Sequence, residues 1–152
     1  MKPSSVRASR MALVQYIYTS ILMTELSAQN AFDTSTMSTK ICEQFGITGR
    51  VFANRQKALA ITEGPEEIIA KYFQSVNRDP LAQKILLHVQ RPIQTREFND
   101  YSVWLNLGQA FEFSRSVRKL TAASLESAWP DNLSAKVRIM ADAYLDPEML
   151  AA

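Results

Sequence analysis

Two hydrophobic periods divide the chain into elements. Ala12–Thr19 is rich in Val, Tyr and Ile and reads as a buried strand. From Ser35 to Phe45 the period changes to helical. Met37, Ile41, Cys42 and Phe45 fall on one face, and Gly46 follows as a C-terminal stop. Ile47–Ala53 and Lys57–Thr62 read as a hairpin turning at Asn54-Arg55-Gln56. Gly64-Pro65-Glu66-Glu67 predicts a helix start, with the two acids complementing the dipole. Ile68, Ile69, Tyr72, Phe73 and Val76 form that helix's stripe, and Asp79-Pro80 ends it. Lys84–Gln90 and Phe98–Leu105 are two further strands flanking a loop around Pro92. The tail then predicts two amphipathic helices, Ser114–Trp129 with Ser114 as N-cap, and Ser134–Leu145. The order is α+β: a βαββαββ, ferredoxin-like core with a five-stranded sheet, two helices on one face, and a C-terminal helical hairpin.

Composition narrows what this core can do. The chain has 152 residues, enough for one domain, and 47% are hydrophobic, so a core is affordable. A net charge of +2 is too small to point to nucleic acid. One cysteine (Cys42) and one histidine (His88) leave no disulfide framework and no structural zinc set. Only four glycines are present, so phosphate-cradling loops are absent. Lys2, Arg7 and Arg10 precede an apolar run from Met11 to Met23, an arrangement that resembles a signal peptide with a weak Leu26-Ser27-Ala28 site. Gln15, Thr19 and Ser20 interrupt the run, which suits a strand better. We therefore expect a cytoplasmic protein with no membrane contact, a basic flexible arm at 1–11, and a start at Met1 or Met11.

Three signatures carry a more specific resemblance. They are Tyr18-Thr19-Ser20 ending the first strand, Gly46-Ile47-Thr48-Gly49 opening the second, and Glu63-Gly64 ending the third. Pro92-Ile93 and Phe98-x-x-Tyr101-Ser102 follow in order. Together they resemble the BLUF family of blue-light sensors, which hold a flavin between the two helices of this fold. The resemblance covers roughly residues 12–104 and implies a domain at 12–105 with a helical extension at 106–152 packing on the sheet.

The residues that such a flavin would use depart from the family. The family's two helix asparagines correspond to Ile41 and Cys42, its relay glutamine to Ala60, and an aromatic two residues earlier to Ala58. Its basic residue on the second helix corresponds to Ser75, and its Trp-Ser-Met to Tyr101-Ser102-Val103. Tyr18, the donor tyrosine, stands without these partners. The cofactor-binding set implied by the resemblance is therefore Tyr18, Ile41, Cys42, Ala60, Ser75 and Tyr101. Three or four unsatisfied polar groups on a bound flavin, at about 1–3 kcal/mol each, would remove decades of affinity.

The expected function is that of a BLUF-like regulatory domain that has lost flavin and acts through protein–protein contact. The alternatives are a working FAD photoreceptor with an altered pocket, and a sensor of a different apolar small molecule. No nucleophile–base pair or metal constellation assembles from the sequence, so no enzymatic activity is expected. The expected partners are a regulatory protein and a second copy of the chain. The candidate interface is Trp104, Val117, Leu120, Leu125, Trp129, Met140 and Tyr144. Some of these must pack on the sheet, leaving only the excess for a partner. His88 and Glu63 read as structural, while Arg50 reads as solvent-facing or as a partner contact.

Overall fold

The computed structural model describes residues 12–151; the basic arm and the choice of start lie outside them. Six strands form one sheet: β1 (Leu13–Leu22), β2 (Thr48–Ala53), β3 (Lys57–Pro65), β4 (Ala82–Ile93), β5 (Tyr101–Leu105) and β6 (Val117–Lys119). Their spatial order is β4-β1-β3-β2-β5-β6. The β1–β3, β1–β4 and β2–β3 pairs are antiparallel; β2–β5 and β5–β6 are parallel. Helices α1 (Ala28–Gln44) and α2 (Glu66–Asn77) cover one face. Helices α3 (Ala122–Ala128) and α4 (Ala135–Tyr144), with a 3-10 turn at Pro147–Leu150, cover the other.

Strand alternation sorts the residues between these faces. Val14, Tyr16 and Tyr18 of β1 point toward α1 and α2, while Ile17 points toward α3 and α4. On β3, Ala60 takes the first side, and Leu59 and Ile61 the second. Gly49 sits where β2 crosses closest to β3. A Cβ there would lie 1.8 Å from the Ile61 carbonyl oxygen, at a φ of +149° that side chains rarely adopt.

The fold departs from the sequence pattern in four places. Helix α1 begins at Ala28, about two turns before the expected Ser35, because Ser27 caps it by accepting from the Asn30 N–H. Its buried face is also different: Ala28, Ala31, Thr39 and Cys42 are buried, whereas Met37, Ile41 and Phe45 are 59%, 37% and 52% exposed. Small residues let this helix sit close to the sheet, and the large ones are turned outward.

The third departure is at Pro92, which lies within β4 and not in a loop; β4 is an edge strand, where proline's missing N–H is tolerated. The fourth is the stretch from Ser114 to Leu120, which is not helical. Val117–Lys119 adds a sixth strand, buries Val117 completely against β5, and leaves Ser114 to cap a turn by accepting from the Val117 N–H. Thr121, not Ser114, starts the helix through a reciprocal capping box with Ser124.

The tail helices pack as an internal layer. Trp104, Val117, Leu120 and Leu125 are buried within the chain itself. Trp129 lies against Phe52 and under the Arg138 guanidinium, and Tyr144 stacks on His88 at 4.0 Å. Met140 packs against the same core. The expected interface is thus largely used to cover the sheet. The reason is area: Ile17, Phe52, Leu59, Ile61 and Phe98 on that face all need a lid.

Arg50 is likewise internal. It donates to the Ala128, Gly49 and Asp100 carbonyls, pairs with the Asp100 carboxylate at 2.8 Å and lies over the Phe98 ring. It ties the end of α3 to the sheet.

Candidate inter-helix site

The two faces differ most at the centre of the α1–α2 side. Its floor is a row of paired residues, Tyr18–Ala60–Val51–Val103, running across β1, β3, β2 and β5. The next row on that face, Ser20–Ala58–Ala53–Leu105, is equally small on its inner strands. Above this floor α1 and α2 leave a cleft of about 200 Å³.

At the inner end of the cleft three elements converge. Ser38 and Cys42 lie one turn apart on α1, Tyr72 comes from α2 and Tyr101 from β5. The Ser38 hydroxyl bridges the Tyr72 and Tyr101 hydroxyls, each at 3.0 Å. The Cys42 thiol is fully buried beside them. Tyr18 packs edge-on against Phe73 at 5.0 Å, and its hydroxyl has no hydrogen bond among the described residues. Burial raises the Tyr18, Tyr72 and Tyr101 phenols well above their ordinary range and pushes the Cys42 thiol up. The inner end is therefore polar but uncharged, and its thiol is held in the unreactive neutral form.

The structure brings Tyr18, Cys42, Ala60 and Tyr101 together and leaves two candidates out. Ile41 points outward on α1, and Ser75 is exposed on α2. Sequence reading missed Ser38 and Tyr72. Ser38 stands four residues before Cys42, a spacing that does put them on one face. Tyr72 falls on the apolar stripe of α2, where the pattern gives its hydroxyl no separate role.

The cleft is small for a flavin ring system. Ligand clefts usually measure about 300–1,000 Å³, and this one is smaller. Ala58 and Ala60 offer no polar atom, and the Ser38, Tyr72 and Tyr101 hydroxyls are already paired with each other, which leaves Tyr18 as the unpartnered hydroxyl at the inner end. The residues present do not fit an isoalloxazine edge.

Trp104 lies on the opposite face, where its indole N–H donates to Ser102 at 3.1 Å. Glu63, also on that face, is fully buried and accepts from Gln15 and from the Glu97 and Phe98 N–H groups, anchoring the β4–β5 loop. Desolvation raises its pKa despite these bonds. No helix among the described residues is long and apolar enough to cross a membrane.

Comparison with known proteins gives a consistent result. Residues 13–104 match the family described as "BLUF: Sensors of blue-light using FAD". None of the curated proteins matches the sequence. Among solved structures, the BLUF protein BlrB in its dark state superposes with a TM-score of 0.57 at 24% identity, covering 87% of this chain and 92% of that one. The structure titled "BlrP1 BLUF" gives a TM-score of 0.65 at 16% identity over 93% and 95%. A Klebsiella pneumoniae BlrP1 complex with manganese and cy-diGMP gives 0.63 at 16%, covering 86% of this chain and 32% of that one. These likenesses establish the fold.

Proposed function

This chain belongs to the BLUF family, and we propose that within it this protein is a flavin-independent regulatory domain, acting in the cytoplasm through protein–protein contact and without enzymatic activity. The observation that carries this reading is the hydroxyl cluster of Ser38, Tyr72 and Tyr101 above Ala60. A working flavin site needs side-chain amides on the ring edge. Here that space holds groups that satisfy one another, and opening them for a flavin would cost about 1–3 kcal/mol for each bond broken without replacement.

The protein contact is supported by the outward row Met37, Ile41 and Phe45. These sit at i, i+4 and i+8 on α1 and present exposed apolar surface that a regulatory partner or a second copy can cover. Replacing Met37 and Phe45 by lysine should abolish any concentration-dependent rise in sedimentation mass while leaving the far-UV spectrum intact. Thermal melting with and without FAD tests the cofactor claim. FAD at tenfold over a genuine Kd would stabilise the fold by RT ln 11, or about 1.4 kcal/mol; no shift is expected.

A further inference from the structure

We propose that the α1–α2 cleft binds a small neutral aromatic molecule carrying one hydrogen-bond acceptor, of the aryl ketone or aldehyde class, whose acceptor meets the Tyr18 hydroxyl. The inference rests on the flavin-independent reading and specifies what the cleft takes in flavin's place.

Two independent observations carry it. The first is the space. The cleft measures about 200 Å³ and is floored by Ala60, Val51 and Val103. An apolar cavity near 150 Å³ is enough for benzene, so a single substituted ring fits where a tricyclic flavin does not. The small side chains of Ala60, Val51 and Val103 leave room for one aromatic ring to lie against the sheet.

The second is an unused donor. Tyr18 lines the cleft, is only 4% exposed, and its hydroxyl has no partner among the described residues. The neighbouring hydroxyls of Ser38, Tyr72 and Tyr101 are committed to each other. The Tyr18 hydroxyl is open to the cleft, so an acceptor there takes the place of water and gains about 0.5–1.5 kcal/mol, or roughly two- to twelvefold in affinity.

The ligand is neutral because nothing at the inner end can neutralise a charge. The cation at the mouth, Lys57, is held by the Asp146 and Glu148 carboxylates at 2.9 and 2.8 Å. A carboxylate pushed inward would lose its hydration without compensation.

The test titrates the full chain with acetophenone, toluene and benzoate, following amide and methyl NMR shifts of residues around Ala60. The expected result is saturable binding of acetophenone, weaker binding of toluene and none of benzoate. Tyr18→Phe, which keeps the ring, should weaken acetophenone about five- to tenfold and leave toluene unchanged. Ala60→Leu should block both. Absence of acetophenone binding, equal affinity for acetophenone and toluene, or indifference to Tyr18→Phe overturns the proposal. A parallel sample incubated with FAD separates the two claims. Retained flavin overturns the flavin-independent reading on which the inference rests. No flavin and no acetophenone overturns the inference alone.

Discussion

The two faces of this sheet are built from the same strands and packed in opposite ways. Toward α3 and α4 the strands present Ile17, Phe52, Leu59 and Ile61, and Phe98, Leu120 and Met149 close over them with no exposure above 2%. Toward α1 and α2 the central positions are Ala53, Ala58, Ala60 and Val51, and the helix above them contributes Ala31, Ser38 and Cys42. One face is a filled core. The other keeps a cleft with a hydroxyl cluster at its end. Strand alternation permits this because adjacent residues serve opposite faces, so one can be optimised for packing while the other is kept open. The closed core and the cleft are thereby carried by different side chains of the same strands.

The largest expected effect removes what both faces share. Gly49→Ala drives a methyl into the Ile61 carbonyl at the β2–β3 crossing. We expect a loss above about 4 kcal/mol, in the range where the chain no longer folds, read as absence of a cooperative melt. A folded Gly49→Ala would show that β2 can shift.

The next pair contrasts the faces directly. Phe52→Ala should cost about 3–5 kcal/mol in urea unfolding, since it empties a closed core. Ala60→Leu should stay within about 1.5 kcal/mol of the wild type, because it grows into existing space. Equal costs would mean that the cleft is not open in solution.

A smaller effect belongs to the hydroxyl bridge. Ser38→Ala leaves the Tyr72 and Tyr101 hydroxyls without their shared partner. It should cost about 1–3 kcal/mol, with Tyr72→Phe added to Ser38→Ala recovering part of it. A neutral Ser38→Ala would mean that the bridge is dispensable.

The smallest concerns the C-terminal turn that Lys57 holds from the cleft's mouth. The Asp146 pKa is lowered, first by the Glu148 N–H and then by Lys57. A depressed carboxylate stabilises above its unfolded value of 3.8 and loses that contribution as pH falls through the folded value. The Lys57 pKa is raised by Glu148 and Asp146, so its share is present below 10.5 and is lost as pH rises through the folded value. Hydrogen exchange at residues 147–151 should therefore be slowest, relative to intrinsic rates, between these limits. Flat protection across both would detach the turn from Lys57.

Much of this contrast was legible in the sequence, but not evenly. The hairpin turning at Asn54, the Pro65-Glu66 helix start and the Gly46 stop are local signals, and each appears where the pattern puts it. Met37, Ile41 and Phe45 misled because helical period identifies a face without saying which face is buried. Ser114–Leu120 misled because a three-residue parallel strand is selected by β5, far away in sequence, and not by its own period. The site was half legible. The missing amides at Cys42 and Ala60 were visible by position, whereas the Ser38–Tyr72–Tyr101 cluster depends on three elements meeting in space.

The central claim is that the cleft, unlike the family's flavin pocket, no longer holds a flavin. Equilibrium dialysis of the full chain against FAD, followed by a visible absorption spectrum before and after blue illumination, tests it most directly. The account predicts protein without a bound flavin band and no change on illumination. A stoichiometric flavin band that shifts with light would contradict it.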